Sequence, residues 1–315
     1  MPKKNQTDTK VSSTKHIPVM KAEVLDYIRP KLGQSYLDLT AGYGGHAEAV
    51  LNLTNSPNKA VLVDRDDQAV AVLKDRFAEV GAKIIHQDFL KATQYLTSEG
   101  MHFDMILADL GLSSPHLEEA DRGFSIKKPA VLDMRMDRRQ ELTAQVIVNT
   151  WPEEKLATII RDYGQEPKAR RIAQRIVRNR PIDTTDKLAA IISPIWPGRS
   201  KIHPASRTFQ ALRIVVNDEI GQLEQTLQQL PDLMAPGGRL VIISFHSLED
   251  RLVKRFISEQ SSEGYDTQLR ALTKKPLTPS RNEIVFNPRA RSAKLRAVVK
   301  IKTKKKGLSV KLNVY

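Results

Sequence analysis

The sequence predicts a doubly wound α/β protein interrupted by a block of helices, and three observations predict it. Short apolar runs alternate with segments of helical period from Ser35 to Leu110. A glycine-rich turn, Ala41-Gly42-Tyr43-Gly44-Gly45-His46, follows the first run directly. The second run ends in an acidic residue, Asp64, 22 residues beyond Gly42. Such a pattern predicts a parallel sheet whose ligands sit over the carboxyl ends of the strands.

The elements follow in order. SYLDLT reads as a buried strand, and AEAVLNL after the glycine turn takes up a helical period. AVLVDRD is the second strand. KIIHQD is the third, ending at Asp88 before Phe89. FDMILADL is the fourth; it ends in Asp109 and spills into the polar loop Ser113-Ser114-Pro115-His116. Between about 117 and 213 the alternation stops. LTAQVIVNTW, PEEKLATIIRDYG, PKARRIAQRIVRN and TTDKLAAIISPIW each give an apolar helical face punctuated by Pro or Gly. RIVVNDEIGQLEQTLQQL then predicts one long helix and GGRLVIISF a fifth strand, with EIVF and LRAVVKIK as the last two of seven.

The turn reads D-x-T-x-G-x-G-G, from Asp38 to Gly45, and not the G-x-G-x-x-G of a dinucleotide site. A carboxylate before the turn repels a pyrophosphate but suits the ammonium of a methionine moiety. That sign argument favours S-adenosylmethionine over NAD. Asp64 is placed to accept hydrogen bonds from ribose hydroxyls.

Charge points to a polyanion. The chain carries 50 Lys and Arg against 36 Asp and Glu, a formal net charge of +14. Its first 116 residues are nearly neutral, at −1, whereas 117–213 carry +7 and 214–315 carry +8. There is no cysteine, which excludes disulfides and thiolate metal sites and fits a cytoplasmic protein. No uncharged apolar run approaches the roughly 20 residues of a membrane span. The histidines are scattered without ligand spacing, so no metal is expected. Residues 1–15 read as a disordered tail and 303–315 as a basic one.

Seven blocks carry a resemblance. HIPVM at 16–20, DLTAGYGGHAEAVL at 38–51, DLGLSSPHLEEADRGFS at 109–125 and LDMRMD at 132–137 resemble the RsmH (MraW) family of bacterial 16S rRNA cytosine-N4 methyltransferases. HPASRTFQALRIVVNDE at 203–219, GGRLVIISFHSLEDRLVKRF at 237–256 and NPRARSAKLR at 287–296 continue it in family order. The resemblance implies a class I, Rossmann-like S-adenosylmethionine-dependent methyltransferase domain at 16–116 and 214–302, with an inserted helical substrate-recognition domain at 117–213. It also implies methylation of a decoding-centre cytidine of the small ribosomal subunit. Carried over, the cofactor contacts fall on Gly44, Gly45, His46, Asp64, Phe89 and Asp109. His116 stands where the family often has Gln.

Cytosine N4 is a poor nucleophile because its lone pair is delocalised into the ring. An acceptor for one of its hydrogens would localise that pair. Asp109, ending the fourth strand, is the first candidate, though it could equally hold the cofactor. His246 follows the fifth strand and would lie at the same rim, where a structural role competes with a catalytic one. Asp133, Arg135 and Asp137 would either read the cytosine edge or form a salt-bridged hinge to the insert. Arg171, Arg175 and Arg178 share one helical face and are candidates for gripping phosphate, a solvated amphipathic helix being the alternative. Phe209 reads as core. Two other classes stay open, a DNA amino-methyltransferase and a non-catalytic RNA-binding protein of this fold. DLGLSSP lacks the paired prolines and aromatic typical of the first, and the intact glycine turn with Asp64 and Asp109 argues against the second. The oligomeric state stays open, a dimer included.

Overall fold

Seven strands lie in the order β3-β2-β1-β4-β5-β7-β6 in the protein's computed structural model. The structure describes residues 18–111, 119–126, 128–196, 198, 202–262 and 267–301. His116 and its Ser/Pro loop therefore lie outside the described residues, as do both tails.

Helix α1 (Lys21–Ile28) precedes β1 (Tyr36–Asp38), α2 (Gly45–Thr54), β2 (Ala60–Asp64) and α3 (Asp67–Leu73). Next come β3 (Lys83–His86), α4 (Phe89–Ser98) and β4 (Phe103–Asp109). β1 to β5 pair in parallel, and β7 runs antiparallel between β5 and β6. The central strands are buried on both faces, which is why they read as unbroken apolar runs. One core fills the face beneath α4, with Leu96, Ile106, Leu230 and Phe256 in it. The other fills the α1/α2 face around Tyr36, Val50, Leu62 and Leu107.

Between β4 and β5 the chain forms α5 (Ala144–Thr150), α6 (Glu153–Asp162), α7 (Ala169–Arg178), α8 (Thr185–Ile192) and α9 (Ser206–Asn217). These helices share a third core, from Phe124 to Val216, that includes Ile147, Ile160, Ile176 and Phe209. α10 (Glu219–Leu233) then leads to β5 (Met234–Ser244), α11 (Ser247–Gln260), β6 (Leu269–Ala271), α12 (Arg281–Phe286) and β7 (Lys294–Lys300). Among the described residues no helix is long and apolar enough to cross a membrane.

Two sequence expectations are corrected. The long helix is two helices, broken at Asp218, whose backbone is left-handed at φ 47. Asn217 beside it is clamped: its amide donates to the Met134 carbonyl at 2.8 Å and accepts from Met136 N–H at 2.8 Å. EIVF is not a strand. It lies in α12, where Ser280 caps the helix by accepting from Glu283 N–H at 3.1 Å. The sixth strand is instead Leu269–Ala271.

A buried arginine joins the two parts of the molecule. Arg122, 1% exposed, faces Asp66 at 3.3 Å and donates to the carbonyls of Arg135 and Met136 at 3.1 and 3.0 Å. Asp66 also caps α3. The start of the insert is thereby pinned to the second strand-to-helix turn of the sheet. Arg135 closes on Asp133 at 2.7 Å and on the Arg138 and Gln140 carbonyls, so both residues are spent on shaping this entry.

Candidate active site

After β1 the chain hands itself across the sheet. Leu39 N–H donates to the Leu107 carbonyl, and Ala41 N–H to that of Val63, both at 2.9 Å. The glycine turn thus sits over the ends of β4 and β2. Asp64 fixes it: one carboxylate oxygen accepts from Gly42 N–H at 2.8 Å and the other from Asp66 N–H at 2.8 Å.

The three glycines have different reasons. Gly42 has φ +52, and a Cβ there would meet only the Thr40 carbonyl at 4.0 Å. It is the place where a ligand can approach the backbone. A Cβ on Gly44 (φ +80) would come within 2.4 Å of the Phe77 ring, and one on Gly45 within 2.7 Å of Pro18. Those two glycines are required by packing within the protein.

A cleft of about 1200 Å³, including its solvent-open part, lies above this turn. Gly45, His46, Asp64, Phe89 and Asp109 line it; Gly44 does not. The sequence reading of Asp38 also needs correction. Asp38 is 1% exposed and lies behind the cleft wall, accepting from the Tyr36 hydroxyl at 2.8 Å and from Thr40 N–H at 3.2 Å. Burial pushes its carboxyl up to about 6, against the opposing pull of His46, Tyr36 and Thr40. The carboxylates that reach the cleft are Asp64, Asp109, Glu219 and Glu249.

Asp109 is held at the end of β4 by its own N–H, which donates to Thr40 Oγ1 at 2.7 Å. One oxygen of its carboxylate has no hydrogen-bond partner, and neither ring nitrogen of the buried His46 has one. Buried polar atoms without partners are uncommon and costly. Those of His46 and Asp109 share one cleft wall, next to the glycine that leaves the backbone open.

His246 sits where β5 gives way to α11 and serves as that helix's cap. Its Nδ1 accepts from Glu249 N–H at 3.3 Å, while Glu249 Oε2 accepts from the N–H groups of Phe245 and His246 at 2.7 and 3.1 Å. His246 Nε2 lies 3.1 Å from Glu249 Oε1, in poor hydrogen-bond alignment. The cleft wall at this rim is Phe245 and Glu249, with His246 behind them. Sequence reasoning missed Glu249. Burial alone would raise Glu249, but His246, the Arg213 charge and the Phe245 N–H together hold it below the usual range.

Among the described residues one group has metal-ligand spacing, Glu219, His246 and Glu249, whose ligand atoms lie within 4.8 Å of one another. Its carboxylates are already engaged. Arg213 grips Glu219 with two bonds of 2.8 and 2.7 Å, and Glu249 is tied into the α11 cap. The expectation of no ligand spacing considered only neighbours in sequence, and folding brought these three together.

The candidate RNA residues of the insert lie elsewhere. Arg171 and Arg178 are exposed on α7, whereas Arg175 is half-buried and donates to the Ile191 carbonyl at 2.9 Å. Phe209 is core, 5% exposed.

Residues 13–301 match the model of the MraW methylase family. Among curated relatives, "Ribosomal RNA small subunit methyltransferase H" of Synechocystis sp. is 45% identical over 94% of this chain and 97% of its own length. The protein of that name from Cyanothece sp. is 47% identical over 89% of this chain and 93% of its own. The one from Acidobacterium capsulatum is 43% identical over 91% and 98%.

Proposed function

This chain belongs to the MraW methylase family, and from that premise we propose that it transfers a methyl group from S-adenosylmethionine to the N4 amine of a decoding-centre cytidine in 16S rRNA. The observation that carries the reading is the cluster of unpartnered buried polar atoms on His46 and Asp109 beside the open Gly42 backbone. The small-subunit rRNA substrate comes from the names of the relatives. The cytidine and its N4 rest on the family resemblance and on the chemistry of the site.

The residues fit the cofactor. Asp64 lines the cleft at the end of β2, where ribose hydroxyls would meet a carboxylate, Gly42 leaves room for close approach, and Phe89 and Leu223 supply apolar walls. The bound cofactor would supply a methyl carbon activated by its sulfonium, so the protein chiefly has to orient N4 and exclude water. Asp109 accepts one N4 hydrogen, which localises the nitrogen lone pair toward the methyl carbon. The Asp109 carboxylate would take the proton that N4 sheds as it acquires the methyl group. His46 beside it stabilises the charge of this wall. Arg122 ties the start of the insert to the sheet, and the Asp133–Arg135 pair shapes that entry.

The test is direct. Small subunits from a strain lacking this gene are incubated with enzyme and labelled donor, the rRNA is digested, and the labelled nucleoside is identified by mass. Label on N4-methylcytidine is expected. Label on a ring carbon, a ribose oxygen or adenine would overturn the assignment.

A further inference from the structure

Of the eight phenylalanines in the chain, seven are buried or half-buried and one is not: Phe286 is 79% exposed. Val285 beside it is 72% exposed. Leaving an aromatic ring in water forgoes one of the largest burial gains that any side chain can make. The position is not loose. α12 is capped by Ser280, and Glu283 accepts from the Met20 backbone N–H at 2.5 Å. Just after it, Ala290 and Ala293 are buried in the core of the α1/α2 face, and Leu277 is bridged to Leu295 of β7. The ring is thus held outward on a firm base.

Its location is specific. Asn287, the next residue, and Arg289 both line the cleft, so Phe286 stands next to the cleft's rim. Arg281 and Arg291 are exposed on either side of it in sequence. The third of the chain that contains them carries a net charge of +8. An exposed aromatic ring among cations beside a cleft matches single-stranded nucleic-acid sites, where bases stack on rings and cations follow the phosphates.

We propose that Phe286 is a stacking platform for a nucleotide flanking the target cytidine, with Arg281 and Arg291 on the adjoining phosphates. The proposal deepens the function above and rests on that reading for the identity of the target. A base seated on Phe286 would draw the neighbouring backbone across the rim and present the next nucleotide to the cleft.

The test uses full-length protein carrying Phe286→Ala, Phe286→Trp or Phe286→Leu, all at an exposed site that folding does not need. Methyl transfer to unmodified small subunits and binding of a short single-stranded RNA are measured, together with cofactor affinity and melting temperature. Phe286→Ala should raise KM for the subunit and Kd for the RNA about tenfold, with kcat, cofactor affinity and melting temperature unchanged. Phe286→Trp should restore both, and Phe286→Leu should not. Wild-type behaviour of Phe286→Ala, or full rescue by Leu, would overturn the proposal. So would a dimer in sedimentation that Phe286→Ala converts to monomer, because the ring would then serve self-association. If binding follows the ring but the label appears on another nucleoside, the platform stands and the cytidine reading fails.

Discussion

His46 Nε2 stands 3.6 Å from Asp109 Oδ2, across the seam between the glycine turn and the end of β4. That separation is longer than a hydrogen bond. Both side chains belong to the cleft wall, His46 is 8% exposed, and neither of its ring nitrogens is satisfied.

The first prediction follows from that pair. Asp109→Asn keeps the shape and an acceptor oxygen but removes the charge and the proton acceptor. The single-turnover methylation rate at saturating cofactor should fall by roughly 10²–10⁴-fold. Melting temperature should change little, since Thr40 holds the backbone N–H and not the carboxylate. Rapid-quench assays of the two proteins decide it, and an unchanged rate would remove Asp109 from proton transfer.

Asp38 makes stability pH-dependent with a definite sign. Its folded carboxyl lies at about 6, above the unfolded value of 3.8, so the folded state binds the proton more tightly. The contribution is fully present below the unfolded value and is lost as pH rises from there through 6. Two units correspond to roughly 3 kcal/mol. Asp38→Asn should therefore gain on the wild type as pH rises from 4 to 7. Urea unfolding of both proteins across that range measures the difference, which should level off above pH 7.

Arg122 tests how the insert is fixed. Arg122→Met removes one partner of a buried ion pair, at a cost of roughly 3–5 kcal/mol. Pairing it with Asp66→Asn should cost less than the sum of the single changes. Denaturant unfolding of the four proteins completes the cycle, and simple additivity would mean that the ion pair contributes nothing.

On α7 the exposed arginines can be separated from the structural one. Arg171→Gln with Arg178→Gln should make the salt dependence of RNA binding shallower by about two units of slope and leave cofactor affinity alone. Arg175→Gln should instead lower the melting temperature, because it loses the Ile191 carbonyl. An unchanged salt slope in the double variant would show that this face only meets solvent.

Local pattern alone settled the alternating first half of the sheet, the glycine turn, the positions of Asp64 and Asp109 and the helical character of the insert. Each depends on residues a few places apart, so period and turn chemistry carry it. EIVF went the other way because β-branched and aromatic residues favour strands only until context intervenes. The Ser280 cap and the tie between Glu283 and Met20, 263 residues apart, made it helix. The break at Asp218 likewise depends on Asn217 reaching Met134 and Met136 across the joint.

Tertiary structure also reassigned residues whose positions had been read correctly. Gly44 and Gly45 have no side chain because Phe77 and Pro18 occupy the space, and Asp38 lies behind the wall it was expected to line. Arg122 and Asp66, 56 residues apart, form the staple between the sheet and the insert, while Glu219 and Glu249 come to face one cleft. Sequence spacing carries a helix face or a strand's exit, since both repeat over a few residues. Burial, and the partner a charge finds inside, depend on which distant segments pack together, and these are properties of the folded chain.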